Sequence, residues 1–162
     1  MEAQLSKSAQ KVQDALTALG LSCRVEERSE TTRSAEDAAR VVGCDVGQIV
    51  KSLLFRGQTS GEALFVLTSG RNRACVEKLA ELAGEAIGKA DAAFVREKTG
   101  FAIGGVAPLG HPQKLNTIVD EDLMQYPELW AAGGTPAALF RLTPQELTVI
   151  TDGRIASIRE SA

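Results

Sequence analysis

The segment Ile49-Val50-Lys51-Ser52-Leu53-Leu54-Phe55 decides the fold of this chain. Its β-branched and large apolar residues predict a buried strand, which a turn at residues 57–61 joins to a second strand at residues 63–68. Side chains alternate between the two faces of a strand, so Lys51 shares its face with apolar residues only. A buried ammonium costs free energy unless it is paired, reaches water or lines a cavity that holds a ligand. Lys51 is therefore either an edge lysine or a binding-site residue.

The remaining segments predict a mixture of helices and strands around this hairpin. Helices are predicted at residues 6–19, 34–42, 74–82, 91–98 and 144–150, and further strands at residues 21–27, 116–119, 129–132, 138–142 and 154–158. The glycine-rich residues 101–112 are predicted to form two strands joined by a turn. Helices and strands do not alternate regularly, which favours an α+β fold around a mixed sheet over a doubly wound fold. We expect one domain that spans residues 1–162.

The composition is that of an ordinary globular protein and disfavours several classes of function. The 162 residues carry 18 basic and 21 acidic side chains, a net charge of −3, which disfavours broad binding to nucleic acid but allows a local basic strip. No apolar stretch approaches the ~18 residues of a membrane span, and the first residues do not resemble a signal peptide. Three widely spaced cysteines and one histidine predict neither a disulfide framework nor a metal site. We expect a cytoplasmic protein without a metal or a cofactor.

A glycine-rich stretch, Gly104-Gly105-Val106-Ala107-Pro108-Leu109-Gly110-His111-Pro112, is the second candidate site. Paired glycines let the main chain approach a ligand closely, and exposed amides can hold a carboxylate, a phosphate or a developing oxyanion. The stretch has neither the spacing of a phosphate-binding P-loop nor that of a dinucleotide fingerprint. It is therefore either a tight connection or a main-chain binding loop, with His111 as a hydrogen-bonding residue at the rim.

Two further loops carry polar or small residues next to predicted strands. Ser69-Gly70-Arg71-Asn72-Arg73 offers a hydroxyl, an amide and two guanidinium groups, and is either a phosphate-facing loop or a solvated connection. Ala132-Gly133-Gly134-Thr135-Pro136 is a turn of small residues with the same two interpretations. Ser69, His111 and Asp120 can be written as a catalytic triad, but no serine lies in a nucleophile-elbow motif, so this interpretation has little support.

The order and content of these segments resemble the YbaK/EbsC-type aminoacyl-tRNA editing domains, which are related to the insertion domain of bacterial prolyl-tRNA synthetase. The resemblance covers roughly residues 26–158. It rests on the Lys51 strand, on Ser69-Gly70-Arg71-Asn72, on Thr99-Gly100-Phe101-Ala102-Ile103 leading into the glycine-rich stretch, and on Gly133-Gly134-Thr135-Pro136. The Lys51 strand together with the G-x-x-x-P motif at residues 104–108 is more specific than either motif alone.

The resemblance implies a mixed, barrel-like sheet flanked by helices, and a freestanding enzyme that hydrolyses mischarged tRNA in trans. It also implies that Lys51 is the functional, catalytic lysine beside the acylated 3′ end of the tRNA. Arg71 and Arg73 are the expected tRNA contacts, and a prolyl-tRNA synthetase is a candidate partner. The expected substrate-binding residues are Ser69, Asn72, Gly104, Gly105, Val106, Ala107, Pro108, His111, Gly133, Gly134 and Thr135.

Two local motifs bear on the expected substrate. Gly-His-Pro at residues 110–112 and Gly-Thr-Pro at residues 134–136 depart from the YbaK branch and look closer to branches associated with prolyl-tRNA synthetase. The expected substrate is tRNA(Pro) that carries alanine, serine, threonine, cysteine or 2-aminobutyrate, with cysteine disfavoured.

An activated ester needs a positioned water and an oxyanion-binding site more than a strong nucleophile. We therefore expect the amides of Gly105 and Val106 to face the ester. Two alternatives stay open, namely a non-catalytic nucleic-acid-binding or regulatory module, and a binding protein or hydrolase for free acyl esters.

Overall fold

A computed structural model describes residues 4–30, 32 and 34–161 of the chain. The helices are α1 (Lys7–Ala18), α2 (Ala35–Val42), α3 (Val76–Ala83), α4 (Ala92–Thr99) and α5 (Pro144–Thr151). The strands are β1 (Val25–Glu27), β2 (Ile49–Gly57), β3 (Ala63–Ser69), β4 (Ile87–Lys89), β5 (Asn116–Asp120), β6 (Leu129–Ala132), β7 (Ala138–Leu142) and β8 (Arg154–Ala156). Short 3₁₀ helices lie at Val46–Gln48 and Glu121–Gln125. The longest helix, α1, has 12 residues, and among the described residues no helix has the length and apolarity needed to cross a lipid bilayer.

Several helix ends lie where the sequence predicts them. The Ser34 hydroxyl accepts a hydrogen bond from a main-chain N–H in the first turn of α2 at 3.1 Å. Thr143 and Glu146 form a capping box at the start of α5. Gly43 and Gly100 end α2 and α4 in the left-handed conformation, with φ of +74° and +80°. These ends are predictable because a cap depends on residues within one helical turn.

The strands form one mixed sheet in which β2 and β3 are central. The strand order is β1-β7-β6-β2-β3-β5-β8, and β4 pairs with β2 outside this order. Neighbours are antiparallel in the pairs β1–β7, β6–β7, β2–β3 and β2–β4, and parallel in the pairs β2–β6, β3–β5 and β5–β8. The α+β fold with a mixed sheet flanked by helices is therefore confirmed.

Both faces of the central sheet are buried, which explains why β2 and β3 are apolar at consecutive positions. On one face Val50 and Phe65 belong to the largest apolar cluster, which also includes residues of α1, α4 and the 101–112 segment. On the other face Val66 and Ile118 pack with apolar residues of α3. By alternation Lys51 lies at the end of this second face.

Two local predictions are wrong, and one strand has no prediction. The short strand β4 was not predicted, because three residues carry too little pattern to mark a strand. The strand predicted at residues 21–27 is confined to Val25–Glu27. Residues 101–112 form an irregular loop and not two strands. Gly104 and Gly110 have φ of +96° and +85° there, a left-handed conformation that a regular strand does not contain.

Candidate active site

A gap in the sheet lies beside β2. On one side β2 pairs with β3 along residues 50–56. On the other side β6 pairs only with residues 49–50 of β2, and β4 only with residues 55–57. Residues 51–54 therefore have no strand partner on that side within the described chain. The gap exists because β6 and β4 are short and meet β2 near its opposite ends.

The main-chain groups of Ser52 and Leu54 point into this gap. The N–H of Gly70 donates to the carbonyl oxygen of Ile49 at 2.7 Å, so Ile49 directs its main-chain groups toward the β3 side. In an antiparallel pair this direction alternates along the strand, so the even-numbered residues of β2 direct their groups away from β3. Polar main-chain groups at an unpaired, recessed edge need water or a ligand as a partner.

A cavity of about 350 Å³ opens at this gap. One wall is β2 at residues 49–54, and the opposite wall is formed by Ile103, Gly104 and Val106 of the glycine-rich loop. The other lining residues are Thr32, Ser34, Ala35, Ala38, Phe65, Ala90, Val95, Ala132 and Leu139. The lining is mostly apolar, and Ile103, with 61% of its surface exposed, lies at the mouth. The structure thus brings Lys51 and the glycine-rich loop to one cavity.

Lys51 is half-buried in this cavity wall, and its ammonium donates one hydrogen bond within the protein. Lys51 Nζ donates to the main-chain carbonyl oxygen of Asn72 at 2.8 Å. Burial lowers the pKa of Lys51, the nearby Arg73 lowers it further, and the carboxylates of Glu36 and Asp120 oppose this shift. An ammonium has three N–H donors, so two are left for a ligand beside this one bond.

Three residues of the glycine-rich loop that line the cavity, Ile103, Gly104 and Val106, have a main-chain N–H without an acceptor among the described residues. The N–H of Gly105 donates to the carbonyl oxygen of Ala102 at 3.1 Å, so this amide already has a partner within the loop, and the expectation that it faces an ester gains no support. A Cβ at position 105 would lie 2.7 Å from the main chain of Thr135, so the glycine is needed for close packing. Val106 lines the cavity, and its N–H has no acceptor within the described residues. Ala107 and Pro108 are not among the residues that line the cavity.

His111 supports the loop from behind and does not line the Lys51 cavity. Its Nε2 lies 2.8 Å from the carbonyl oxygen of Ala107, and its ring meets Phe65 and Phe101 edge-on, with centroids 4.9 Å and 6.2 Å away. Burial lowers the pKa of His111, so the neutral ring is favoured, with its Nε2–H donated to that carbonyl oxygen. His111 therefore has a position that supports the loop, and its predicted substrate contact stays a prediction.

The polar side chains of the 69–73 loop bind other parts of the protein. The Ser69 hydroxyl donates to the carbonyl oxygen of Gly47 at 2.7 Å. Asn72 Nδ2 donates to carboxylate oxygens of Asp120 and Asp122, at 2.8 Å each. Neither Ser69 nor Asn72 lines the cavity, so the structure does not place them as the predicted substrate contacts. The Ser69–His111–Asp120 triad is also excluded, because the Ser69 hydroxyl and the imidazole bind separate carbonyl oxygens.

The two arginines of this loop are exposed. Arg71 Nη2 forms an ion pair with Asp45 at 2.6 Å, and 60% of the Arg71 side chain is exposed. Arg73 is exposed and close enough to Lys51 to lower its pKa. Their predicted contact with tRNA stays a prediction.

The turn at residues 133–135 packs against the N-terminal region and lies outside the cavity lining. A Cβ at Gly134, where φ is +107°, would lie 2.6 Å from the main-chain oxygen of Ser8 in α1. Thr135 Oγ1 donates to a carboxylate oxygen of Glu27 at 3.4 Å. Gly133 directs its N–H to the carbonyl oxygen of Ala138 at 2.7 Å. The three residues therefore shape the turn, and their predicted substrate contacts stay a prediction.

Ser52 is a cavity residue that the sequence-based prediction missed. Its hydroxyl oxygen is buried and has no hydrogen-bond partner among the described residues. Buried hydroxyl groups are normally paired, so an unpaired one on a cavity wall indicates a position for water or a ligand. A polar residue next to Lys51 in an apolar strand was the available signal. Among the described residues no cluster of His, Cys, Asp and Glu side chains is placed to hold a metal ion.

Comparison with known proteins gives a consistent assignment for this fold and cavity. The sequence profile described as "Aminoacyl-tRNA editing domain" matches residues 29–150. The Enterococcus faecalis protein called "Putative Cys-tRNA(Pro)/Cys-tRNA(Cys) deacylase EbsC" is 28% identical over 133 residues, which are 80% of this chain and 79% of that protein. The uncharacterised protein YwhH of Bacillus subtilis is 27% identical over 131 residues, 81% of this chain and 83% of that protein.

A solved structure is similar over nearly the whole chain. It is described as "a putative trans-editing enzyme for prolyl tRNA synthetase" and has 50% identity and a TM-score of 0.92, covering 98% of this chain and 100% of that one. The chain belongs to the aminoacyl-tRNA editing domain family. This membership confirms the resemblance drawn from the Lys51 strand and the glycine-rich loop, and with it the hydrolase class.

Proposed function

We propose that this protein is a freestanding deacylase that hydrolyses the ester between a small, wrongly attached amino acid and tRNA, with tRNA(Pro) as the tRNA. The observation that carries the proposal is the cavity of about 350 Å³ between the Lys51 edge of β2 and the glycine-rich loop. Its mostly apolar wall suits a small side chain, and its few polar groups would bind an ester and its amino group.

The chemistry needs positioning more than a strong nucleophile, because an aminoacyl ester is already activated. The free N–H of Val106 would stabilise the developing oxyanion, and the Lys51 ammonium would bind a hydroxyl or phosphate of the terminal adenosine. The main-chain oxygen and the unpaired hydroxyl of Ser52 would accept hydrogen bonds from the α-ammonium or hold the attacking water. The hydroxyl of the terminal ribose would assist that water.

Small amino acids are the expected substrates. The aminoacylation site of a synthetase discriminates between amino acids that differ by one methylene only by roughly 10–200-fold. A second pocket that admits only small residues removes such errors. Alanine, serine, threonine and 2-aminobutyrate fit this requirement, and cysteine is the residue in the name of the E. faecalis relative. The similar solved structure, described by its link to prolyl-tRNA synthetase, supports tRNA(Pro) and that synthetase as partners.

A deacylation panel tests the proposal. It presents alanine, serine, threonine, cysteine and 2-aminobutyrate on tRNA(Pro), with alanine on tRNA(Ala) and a simple alanyl ester for comparison. We expect hydrolysis of at least one small residue on tRNA(Pro) at a rate well above the simple ester. Equal rates on tRNA and on the simple ester would indicate an esterase, and tRNA binding without hydrolysis would indicate a binding module.

The Lys51→Ala variant tests the site. We expect kcat/KM for the preferred substrate to fall by about a hundredfold, because a cation that orients the acylated end is lost. Lys114→Ala is the matched control, since Lys114 is an exposed lysine that pairs with Asp152 and is not among the residues that line the cavity. A folded Lys51→Ala protein with the wild-type rate would reject this site.

A further inference from the structure

A row of polar side chains crosses three strands at the end of the second sheet face. Lys51 in β2 lies directly opposite Thr68 in β3. Val119 in β5 is paired with Leu67, so Asp120 follows next to Thr68. Side chains in one cross-strand row share a face, which places a cation, a hydroxyl and a carboxylate beside one another. The Thr68 hydroxyl between them is buried and has no hydrogen-bond partner among the described residues, whereas Lys51 and Asp120 both have partners.

Asp120 is a buried carboxylate that accepts three hydrogen bonds. Only 1% of its surface is exposed. Its Oδ2 accepts hydrogen bonds from the main-chain N–H of Ser69 at 3.0 Å and from Asn72 Nδ2 at 2.8 Å. Its Oδ1 accepts one from the main-chain N–H of Asp122 at 3.0 Å. A buried charge requires such partners, so Asp120 fixes the loop that follows β3 to the start of the 3₁₀ helix that follows β5.

Asn72 links this carboxylate to Lys51. Its side-chain nitrogen donates to Asp120 and Asp122, and its main-chain N–H donates to the carbonyl oxygen of Ser69 at 2.9 Å. With the side chain and the N–H held, the carbonyl oxygen of Asn72 has a defined position, and Lys51 Nζ donates to it at 2.8 Å. Arg159 Nη1 supports the far side through Asp122 at 3.1 Å.

We propose that Asp120 is a positioning residue that acts through Asn72 to hold the Lys51 ammonium at the cavity wall. The inference rests on the proposed function, because it assigns how the substrate-binding cation is oriented. Asp120 itself does not line the cavity and so acts on the substrate only through Lys51. A displacement of about 1 Å in such a group is enough to lower a rate by about a hundredfold.

Electrostatic interaction provides a second link between Asp120 and Lys51. The charged groups that face Lys51 are Glu36 of α2, Arg73 of the loop and Asp120 of β5. Burial has the largest effect on the pKa of Lys51 and lowers it, Glu36 and Asp120 raise it, and Arg73 lowers it. Removal of the Asp120 charge should therefore lower the pKa of Lys51, an effect that a purely structural role elsewhere in the fold would not produce.

The test compares Asp120→Asn with Glu85→Gln in the full chain. Both changes replace a carboxylate by an amide of the same shape, and Glu85 likewise accepts main-chain N–H bonds, from Thr59 and Ser60, in a turn at the other end of β2. Deacylation kinetics give kcat and KM, and the ¹³Cε and ¹Hε shifts of Lys51 followed with pH give its pKa. We expect Asp120→Asn to lower kcat by about tenfold to a hundredfold, to change KM less, and to lower the pKa of Lys51. Glu85→Gln should change none of these.

Each result supports or overturns the proposed link from Asp120 through Asn72 to Lys51. A wild-type kcat in folded Asp120→Asn, or equal losses in both variants, would overturn it. If the wild-type chain hydrolyses no aminoacyl-tRNA, the proposed function fails. The pKa of Lys51 in wild type and in Asp120→Asn then still tests whether Asp120 is linked to Lys51. If Asp120→Asn does not fold, Asn72→Ala interrupts the same link. An unchanged Lys51 pKa and unchanged Lys51 line width in that variant would then overturn the inference.

Discussion

Near each end of β2 a carboxylate accepts hydrogen bonds from main-chain N–H groups, but the two carboxylates have different roles. At the hairpin end, the Glu85 carboxylate accepts hydrogen bonds from the N–H groups of Thr59 and Ser60, at 2.9 Å each. At the other end, the Asp120 carboxylate accepts three hydrogen bonds and is linked through one residue to Lys51. The first cluster shapes a turn, and the second holds a cation at a cavity. A carboxylate that accepts main-chain hydrogen bonds is therefore not functional by itself. The link from Asp120 to the cavity distinguishes it from Glu85.

The largest effect is expected from Gly105→Ala, because its Cβ would lie 2.7–2.9 Å from main-chain atoms of Thr135. The loop must move, so we expect a loss of about 1–3 kcal/mol in the free energy of unfolding. Deacylation should fall by about a hundredfold as Val106 is displaced. Urea unfolding and kcat/KM measure the two effects.

Gly88→Ala is the control at the hairpin end of β2. A Cβ at position 88 would meet only the end of the flexible Gln58 side chain, at 3.3 Å. The free energy of unfolding and kcat/KM should therefore stay near the wild-type values. Equal losses in the two variants would mean that the loop at residues 104–106 has no special role.

The second prediction concerns stability at the two carboxylates. Asp120→Asn leaves buried donors facing a weaker acceptor and should lower the free energy of unfolding by about 1–3 kcal/mol. Glu85→Gln should cost less, because the bonds of Glu85 lie in an exposed turn and water can replace them. Urea denaturation of both variants checks the order, and a larger loss at Glu85 would reverse the comparison.

A smaller effect should distinguish two alanines on α2. Ala38 and Ala39 are both buried, but only Ala38 is among the residues that line the cavity in the described chain. Ala38→Val narrows the cavity and should lower the rate on 2-aminobutyryl-tRNA relative to alanyl-tRNA by about tenfold. Ala39→Val should leave this ratio unchanged. A change of equal size in both variants would mean that α2 does not set the size limit.

The smallest expected effect is the pH dependence that His111 contributes to stability. Burial lowers the pKa of His111, so below about pH 6.5 the unfolded chain takes up a proton that the folded chain does not. The stabilisation by neutral His111 is therefore complete above that pH and is lost as the pH falls toward the lower folded pKa. Urea unfolding between about pH 5 and 7.5 should show stability rising with pH, with a smaller slope in His111→Gln. An unchanged slope would show that protonation of His111 does not matter for folding.

Local features of this chain were predictable from its sequence, and features made by distant pairing were not. The cap at Ser34 and the capping box at Thr143 depend on residues within one turn. Lys51 was recognisable because it is a charge in an apolar strand. The gap beside residues 51–54 was not, because it depends on where β4 and β6, distant in sequence, stop pairing with β2.

Two predicted site residues have side chains that already bind other parts of the protein, for the same reason. Ser69 and Asn72 have the side chains of a binding loop, but their partners, Gly47 and Asp120, lie 22 and 48 positions away in the chain. A sequence pattern gives the donors and acceptors of a loop. It does not say which of them the fold has already used.

The most direct test of the central claim is where a substrate analogue binds. The probe is a non-hydrolysable adenosine that carries alanine through a 3′ amide, added to the ¹⁵N-labelled full chain and followed by amide chemical shifts. We predict that the largest shifts fall on Ser52, Leu54 and Val106, which face the gap beside β2. Binding that shifts amides elsewhere and leaves these three unchanged would contradict the account.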